Sequence, residues 1–579
     1  VSFKTHYNPD GYLLENPEGK DVSLPDDIMA ADYVNTNPNI TDEVNSTGRL
    51  PDAIISIAPY AFENCYVLPY MILPSSLESI GDYAFKNMYT LKSLFVLDKV
   101  MTFGKGIVKG AKHLETLSIP FIGDTYRDPS IEELGYFFGF ISKTIEDFYV
   151  HDINWNIIYG YDEDSTPFIQ FDEAGYEEFN KFNYFYDIVN DTEATVDEYG
   201  VISKEGEGLR AYSIPKSLKN LYVYNAYRIQ NGTCHNFEYL ENLDLSQSKD
   251  LEFIDDYAFY NNKRLINVYL PGDRSGNAQS ETPIHSVLNR IGNHAFELTT
   301  HLQWVDLGAQ GLLTNIGTYA FAGSPTIKST LPHIEIPSEV VVIGDYAFAY
   351  NGLIYIDLED IKNYTFGNYM FYDNDALIYV EVNKNMQIMG NYVFADCDML
   401  GNPNRTVDVA LGGNPHLGNY PGHLYLEDGL VLLGNSMFEH CDTLYEVVIP
   451  ASVAEGTGMV GTRVFAETQG LYQVEIKNKI IGIEMFYFNT TNSSLTHAIL
   501  NPEITNIGHS AFYNCKELLN VELPTNENFT TIEQTTFYHC ESFTEITIPA
   551  NVEVIRDSAF EGCFNVNEAD GNQGLTFIV

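Results

Sequence analysis

The chain has 579 residues, with 80 acidic side chains against 31 basic ones and a formal net charge of −49. A surface this acidic argues against nucleic acid and anionic membranes as partners and favours a basic one. No apolar run approaches the roughly 18 residues of a membrane-spanning helix, and Val1 is not an initiator methionine, so the chain reads as a mature or trimmed product.

Residues 1–52 hold turn-rich pieces, Asn8-Pro9-Asp10-Gly11 and Asn37-Pro38-Asn39, and one apolar strand candidate at Tyr12–Leu14. From Ala53 a phrase begins to repeat, most clearly at Ile507–Pro524: I-G-x-x-A-F-x-x-C-x-x-L-x-x-V-x-L-P. Its Phe falls at positions including 62, 85, 259, 348, 371, 394, 512, 537 and 560, with several gaps of 23 residues; Val108 and Cys234 occupy that place in two degenerate copies. A period of this length signifies a solenoid, in which each coil buries its apolar side only against its neighbours. Residues 1–52 are expected to form an N-terminal cap over its first core layer. In each copy the L-x-x-V-x-L end alternates like a short strand, closed by a proline that has no N–H for the ladder. The glycine (Gly81, Gly292, Gly317, Gly344, Gly508) is expected to allow a tight turn. The A-F-x-x-C segment is expected to be a short helical turn with Phe and Cys inward. About 16 coils at about 4.8 Å give an arc roughly 75 Å long.

These residues resemble the BspA-like, or Treponema-type, leucine-rich repeats of bacterial surface proteins. The resemblance covers roughly Ala53 to Val566. It implies an α/β repeat: a right-handed leucine-rich-repeat solenoid with a parallel β-sheet on the concave face and short helical turns or irregular structure elsewhere. It also implies a secreted or cell-surface protein, in some members linked to adhesion.

Coils are expected over 53–120. The repeat frame then lapses until Ile214-Pro215, and residues 121–213 are rich in Tyr, Phe, Asp and Glu, as in Gly135-Tyr136-Phe137-Phe138-Gly139. So many aromatics predict a folded insertion, not a linker. Coils resume over 214–566, with loops near 272–285 and 401–420, and 567–579 is expected to be a partial C-terminal cap.

Six of the seven cysteines (Cys65, Cys397, Cys441, Cys515, Cys540, Cys563) stand three residues after the repeat Phe, where other coils carry Asn262, Asn351, Asn374 and Asn489. That spacing predicts small buried side chains; vertical disulfides among Cys515, Cys540 and Cys563 are the rival reading. No C-x-x-C occurs, so zinc is not expected, and no cofactor or metal is. Gly508-His509-Ser510 begins like a nucleophile elbow, but repeat phase explains it. Asp162-Glu163-Asp164 lacks calcium-loop spacing. The chain is therefore read as non-enzymatic.

Strand alternation turns the residues two and four after the first Leu of L-x-x-V-x-L away from the core. In four successive coils the first column carries Trp304, His333, Tyr355 and Tyr379, and the second Asp306, Glu335, Asp357 and Glu381. This predicts an aromatic ladder beside an acidic one on the open sheet face, able to bind a Lys- or Arg-bearing host or bacterial surface protein. The alternative is a glycan-binding, or glycan-processing, surface protein that uses the aromatic insertion.

Overall fold

The computed structural model describes residues 47–51, 53–65, 68–97, 99–128, 134–139, 165–171, 195–196, 201–204, 207–235, 237, 239–272, 286–308, 312–358, 365–382, 390–402, 423–426, 428–456, 459–489, 493–565, 573–574 and 576–578. Most of the expected cap 1–52 and of both long loops lies outside them.

Each coil contributes one short strand to a parallel sheet. Thr47–Arg49, Tyr70–Ile72, Ser93–Phe95, Thr116–Ile119, Asn220–Val223, Asn242–Asp244, Asn267–Tyr269 and Trp304–Asp306 form one sheet of eight. Tyr355–Asp357, Tyr379–Val382, His423–Leu426, Glu446–Ile449, Gln473–Ile476 and His497–Leu500 form a second of six. The break falls at the coil holding Leu331-Pro332-His333, which forms no paired strand. Pro332 lacks the N–H that a ladder needs. Opposite these sheets, two-residue strands such as Arg290–Ile291, Asn315–Ile316 and Val342–Ile343 stack in parallel in the same way.

The core holds a stack of the repeat phenylalanines. From Phe259 to Phe560 successive rings lie 5.0–5.7 Å apart. Offset stacking at this separation adds to the area that the rings bury. The solenoid has about 14 turns, against about 16 expected.

The segment around Ala-Phe is not helical. Among the described residues the single helical element is the 3-10 turn Leu134–Phe137, so the Ala-Phe arcs take the irregular form that the resemblance allowed and not the expected helical turn. Most coils carry two left-handed residues four apart, such as Tyr257 (φ 57) with Asn261 (φ 59) and Tyr346 (φ 56) with Tyr350 (φ 58). A helix cannot hold such residues. Alternate N–H groups instead donate to the next coil: Tyr257 to Asn293 O at 2.9 Å, Phe259 to Ala295 O at 2.7 Å and Asn261 to Glu297 O at 2.8 Å. The repeat glycine also works differently from the expectation. Gly344 is not left-handed; a Cβ there would lie 2.4 Å from Thr318 N in the preceding coil. It is required for close approach between coils, not for a turn.

The insertion begins later than position 121. Phe121, Leu134, Tyr136, Phe137 and Phe138 belong to the core cluster. Gly106 N and Val108 N donate to Tyr136 O and Phe137 O at 2.8 and 2.9 Å. Gly-Tyr-Phe-Phe-Gly thus fills the turn of a coil whose strand, Asn220–Val223, pairs directly with Thr116–Ile119. Between them lies an antiparallel sheet of Ser165–Phe171, Thr195–Val196, Val201–Lys204 and Glu207–Pro215. At the other end Thr576–Ile578 adds a parallel strand to Glu545–Thr547.

Candidate functional site

The column two residues after the strand leucine runs along the sheet as a series of ladders. Asn267 Nδ2 donates to Asn242 Oδ1, and Asn242 Nδ2 to Asn220 Oδ1, each at 2.7 Å. Trp304 is in register with Asn267 and is half-buried. His333 follows, its ring stacked on Tyr355 with centroids 4.1 Å apart and planes at 18°. Tyr355 is in register with Tyr379. Further along, Gln473 Nε2 donates to Glu446 Oε1 at 2.9 Å.

The four aromatic positions therefore share one column, but not one degree of exposure. Tyr355 and Tyr379 are 4% and 9% exposed and form a buried pair separate from the main core. The expected open ladder is corrected at these two residues: alternation turns them off the core, and rings side by side at strand spacing cover one another. The accessible part is Trp304, Asp306 and Glu335, with His333 largely covered. Glu335 is 67% exposed at its side chain, and His333 Nε2 lies 3.9 Å from its carboxylate. Asp357 and Glu381 are register partners on their strands.

No cluster of three or more His, Cys, Asp or Glu able to hold a metal is present among the described residues. Ser510 takes a repeat position at φ 53 and its Oγ lies 2.7 Å from Thr535 Oγ1 in the next coil, so its environment is that of the stack. All seven cysteines are free, and all but Cys65 are buried. Burial pushes the Cys515 thiol well up, which keeps it from acting as a nucleophile. Asn489, expected inward with the cysteines, is exposed. At the root of the insertion a small recess is lined by residues including Phe121, Thr125, Arg127, Tyr227 and Arg228.

Sequence reasoning missed a second ladder, on the turn edge. Tyr257, His294, Tyr319, Tyr346, Tyr369 and Tyr392 all stand two residues before the repeat Phe and stack ring on ring. The recurrence of Tyr at that offset was the available signal.

A BspA-type leucine-rich repeat region matches the chain in six copies, over residues 44–128, 209–282, 274–401 and 431–567, which is more than half its length. The chain belongs to the BspA-type leucine-rich repeat family. No curated protein matches this BspA-type chain. Among solved structures it is similar to a leucine-rich repeat protein from Bacteroides ovatus, at 22% identity over 57% of this chain and 88% of that one, with a TM-score of 0.33. A leucine-rich cell surface protein from Faecalibacterium prausnitzii matches at 18% identity over 66% and 86%, with a TM-score of 0.29. The pneumococcal vaccine antigen PcpA matches at 13% identity over 92% and 89%, with a TM-score of 0.28.

Proposed function

We propose that this BspA-type chain is a non-enzymatic cell-surface or secreted interaction protein of the adhesin type, which binds a protein partner through the sheet face at Trp304, Asp306, His333 and Glu335. One observation carries this reading. A half-buried tryptophan and an exposed carboxylate stand beside His333, whose ring stacks on Tyr355 of the buried Tyr355–Tyr379 pair. A rigid aromatic anchor with a charged rim is the usual composition of a recognition patch. The net charge of −49 selects a basic partner.

The test is surface-plasmon binding of a panel of soluble matrix and bacterial surface proteins to the whole chain and to Trp304→Ala with Glu335→Gln. Capture of a basic protein that the double variant weakens about tenfold or more supports the reading. Equal capture by both, with folding intact, would remove the sheet face from the binding surface.

A further inference from the structure

The turn edge carries a second surface, independent of the sheet face. Successive rings of Tyr257, His294, Tyr319, Tyr346, Tyr369 and Tyr392 lie 4.6, 5.2, 4.7, 4.5 and 4.6 Å apart, with planes within 8° of parallel. All six are half-exposed. The fold does not call for them. The core is filled by the separate phenylalanine stack, and in later coils Ser436, Ser510 and Ser558 hold the same left-handed backbone at φ 50, 53 and 54. For any of these residues other than glycine that backbone carries a cost, and a tyrosine there points its ring outward along the edge of the solenoid.

The chemistry of the strip is specific. Rings stacked in parallel hide their faces and present edges and hydroxyls, so the strip offers little to a sugar ring, which stacks on a face. It offers a row of phenols, one per coil, set among carboxylates. Burial first, and then Glu297 and Asp345, push the Tyr319 phenol up; burial, and then the field of groups that include Asp373 and Asp396, does so for Tyr350. These two hydroxyls therefore stay protonated. Nearby cations are already engaged: Lys328 by Asp373 and Asp375, and Arg290 by Asp256 at 2.9 Å.

We propose that this strip is a docking site for an extended Arg- and Lys-rich polypeptide segment lying along the solenoid axis. Guanidinium and ammonium groups donate to Asp345, Asp396 and the phenol oxygens, and their aliphatic stems lie on the ring edges. Six coils at about 4.8 Å span about 24 Å, the length of roughly seven residues of extended chain at about 3.4 Å each.

The probe is a fluorescein-labelled nona-arginine peptide, titrated by anisotropy against the whole chain and three variants. Tyr346→Ser with Tyr369→Ser removes two rings and no charge, and serine is native to this backbone elsewhere in the chain. Asp345→Asn with Asp396→Asn removes two charges; Asn368 and Asn391 occupy the Asp345 position, and Asn514 that of Asp396. Glu78→Gln with Glu553→Gln removes two exposed charges outside the strip and outside the sheet face at Trp304. Both strip variants are expected to weaken binding about tenfold, and this charge control to leave it unchanged. Cellohexaose is expected not to displace the peptide. Full-strength binding by the tyrosine variant means that the peptide senses bulk charge only and overturns the proposal. So does an equal loss in the charge control, displacement by cellohexaose, or no binding by the parent chain. If the tyrosine variant loses its circular-dichroism signal, the aspartate variant and cellohexaose decide: full-strength binding by the former, or displacement by the latter, overturns the proposal.

Discussion

The thiol of Cys515 donates to the carbonyl oxygen of Phe486, one coil back, at 3.2 Å. The same bond recurs from Cys397 to Phe371 O, Cys441 to Phe394 O, Cys540 to Phe512 O and Cys563 to Phe537 O. Asn351 and Asn374 make it with Nδ2 to Phe321 O and Phe348 O at 2.9 and 3.0 Å, and Thr468 with Oγ1 to Phe438 O at 3.0 Å. Cys, Asn and Thr are interchangeable here because each is a small donor that reaches the carbonyl of the repeat phenylalanine one coil back. The thiols are thus hydrogen-bond donors in the core, and the structure contains no disulfide among them. Cys515→Ala leaves Phe486 O with no side-chain donor from that position and is expected to cost about 1–3 kcal/mol in urea unfolding. Cys515→Thr keeps a donor and is expected to cost less. Equal losses would show that volume, not the bond, matters.

The buried pair Tyr355 and Tyr379 makes a different prediction from half-buried Trp304. Tyr355→Ala opens a cavity beneath His333 and is expected to cost about 3 kcal/mol. Trp304→Ala, at the half-buried rim, is expected to cost about 1 kcal/mol or less. Chemical denaturation of both variants measures the difference. A small effect at Tyr355 would mean that the ring is open, as strand alternation alone suggested.

Asp373 gives a pH dependence with a definite sign. Burial raises its pKa from the ordinary 3.8 to about 6, although the hydrogen bond from Lys328 pulls the other way. The folded chain therefore holds this proton more tightly than the unfolded chain. The resulting stabilisation is fully present below pH 3.8 and is lost as pH rises through about 6. Thermal unfolding between these limits should decline more steeply with rising pH for the parent chain than for Asp373→Asn. Asparagine is native to this left-handed position at Asn64, Asn87, Asn261 and Asn514. Parallel pH profiles would contradict the assignment.

Much of this architecture was legible in the chain itself. The I-G-x-x-A-F phrase, returning at intervals near 23 residues, specifies coils that must stack, because none can bury its phenylalanine alone. It also sets the strand columns, since alternation along L-x-x-V-x-L is local information. What the phrase could not show is how one coil meets the next. The left-handed tyrosines, the hydrogen bonds that make the Ala-Phe arc something other than a helix, and the glycine pressed against Thr318 all arise between coils. So does the entry of Gly135–Gly139 into the solenoid, where a non-repeating segment supplies a missing turn. Burial of Tyr355 and Tyr379 likewise depends on neighbours brought into register from separate coils. A periodic sequence determines which residues recur on which face; the contacts made across the stack determine how much of each face water still reaches.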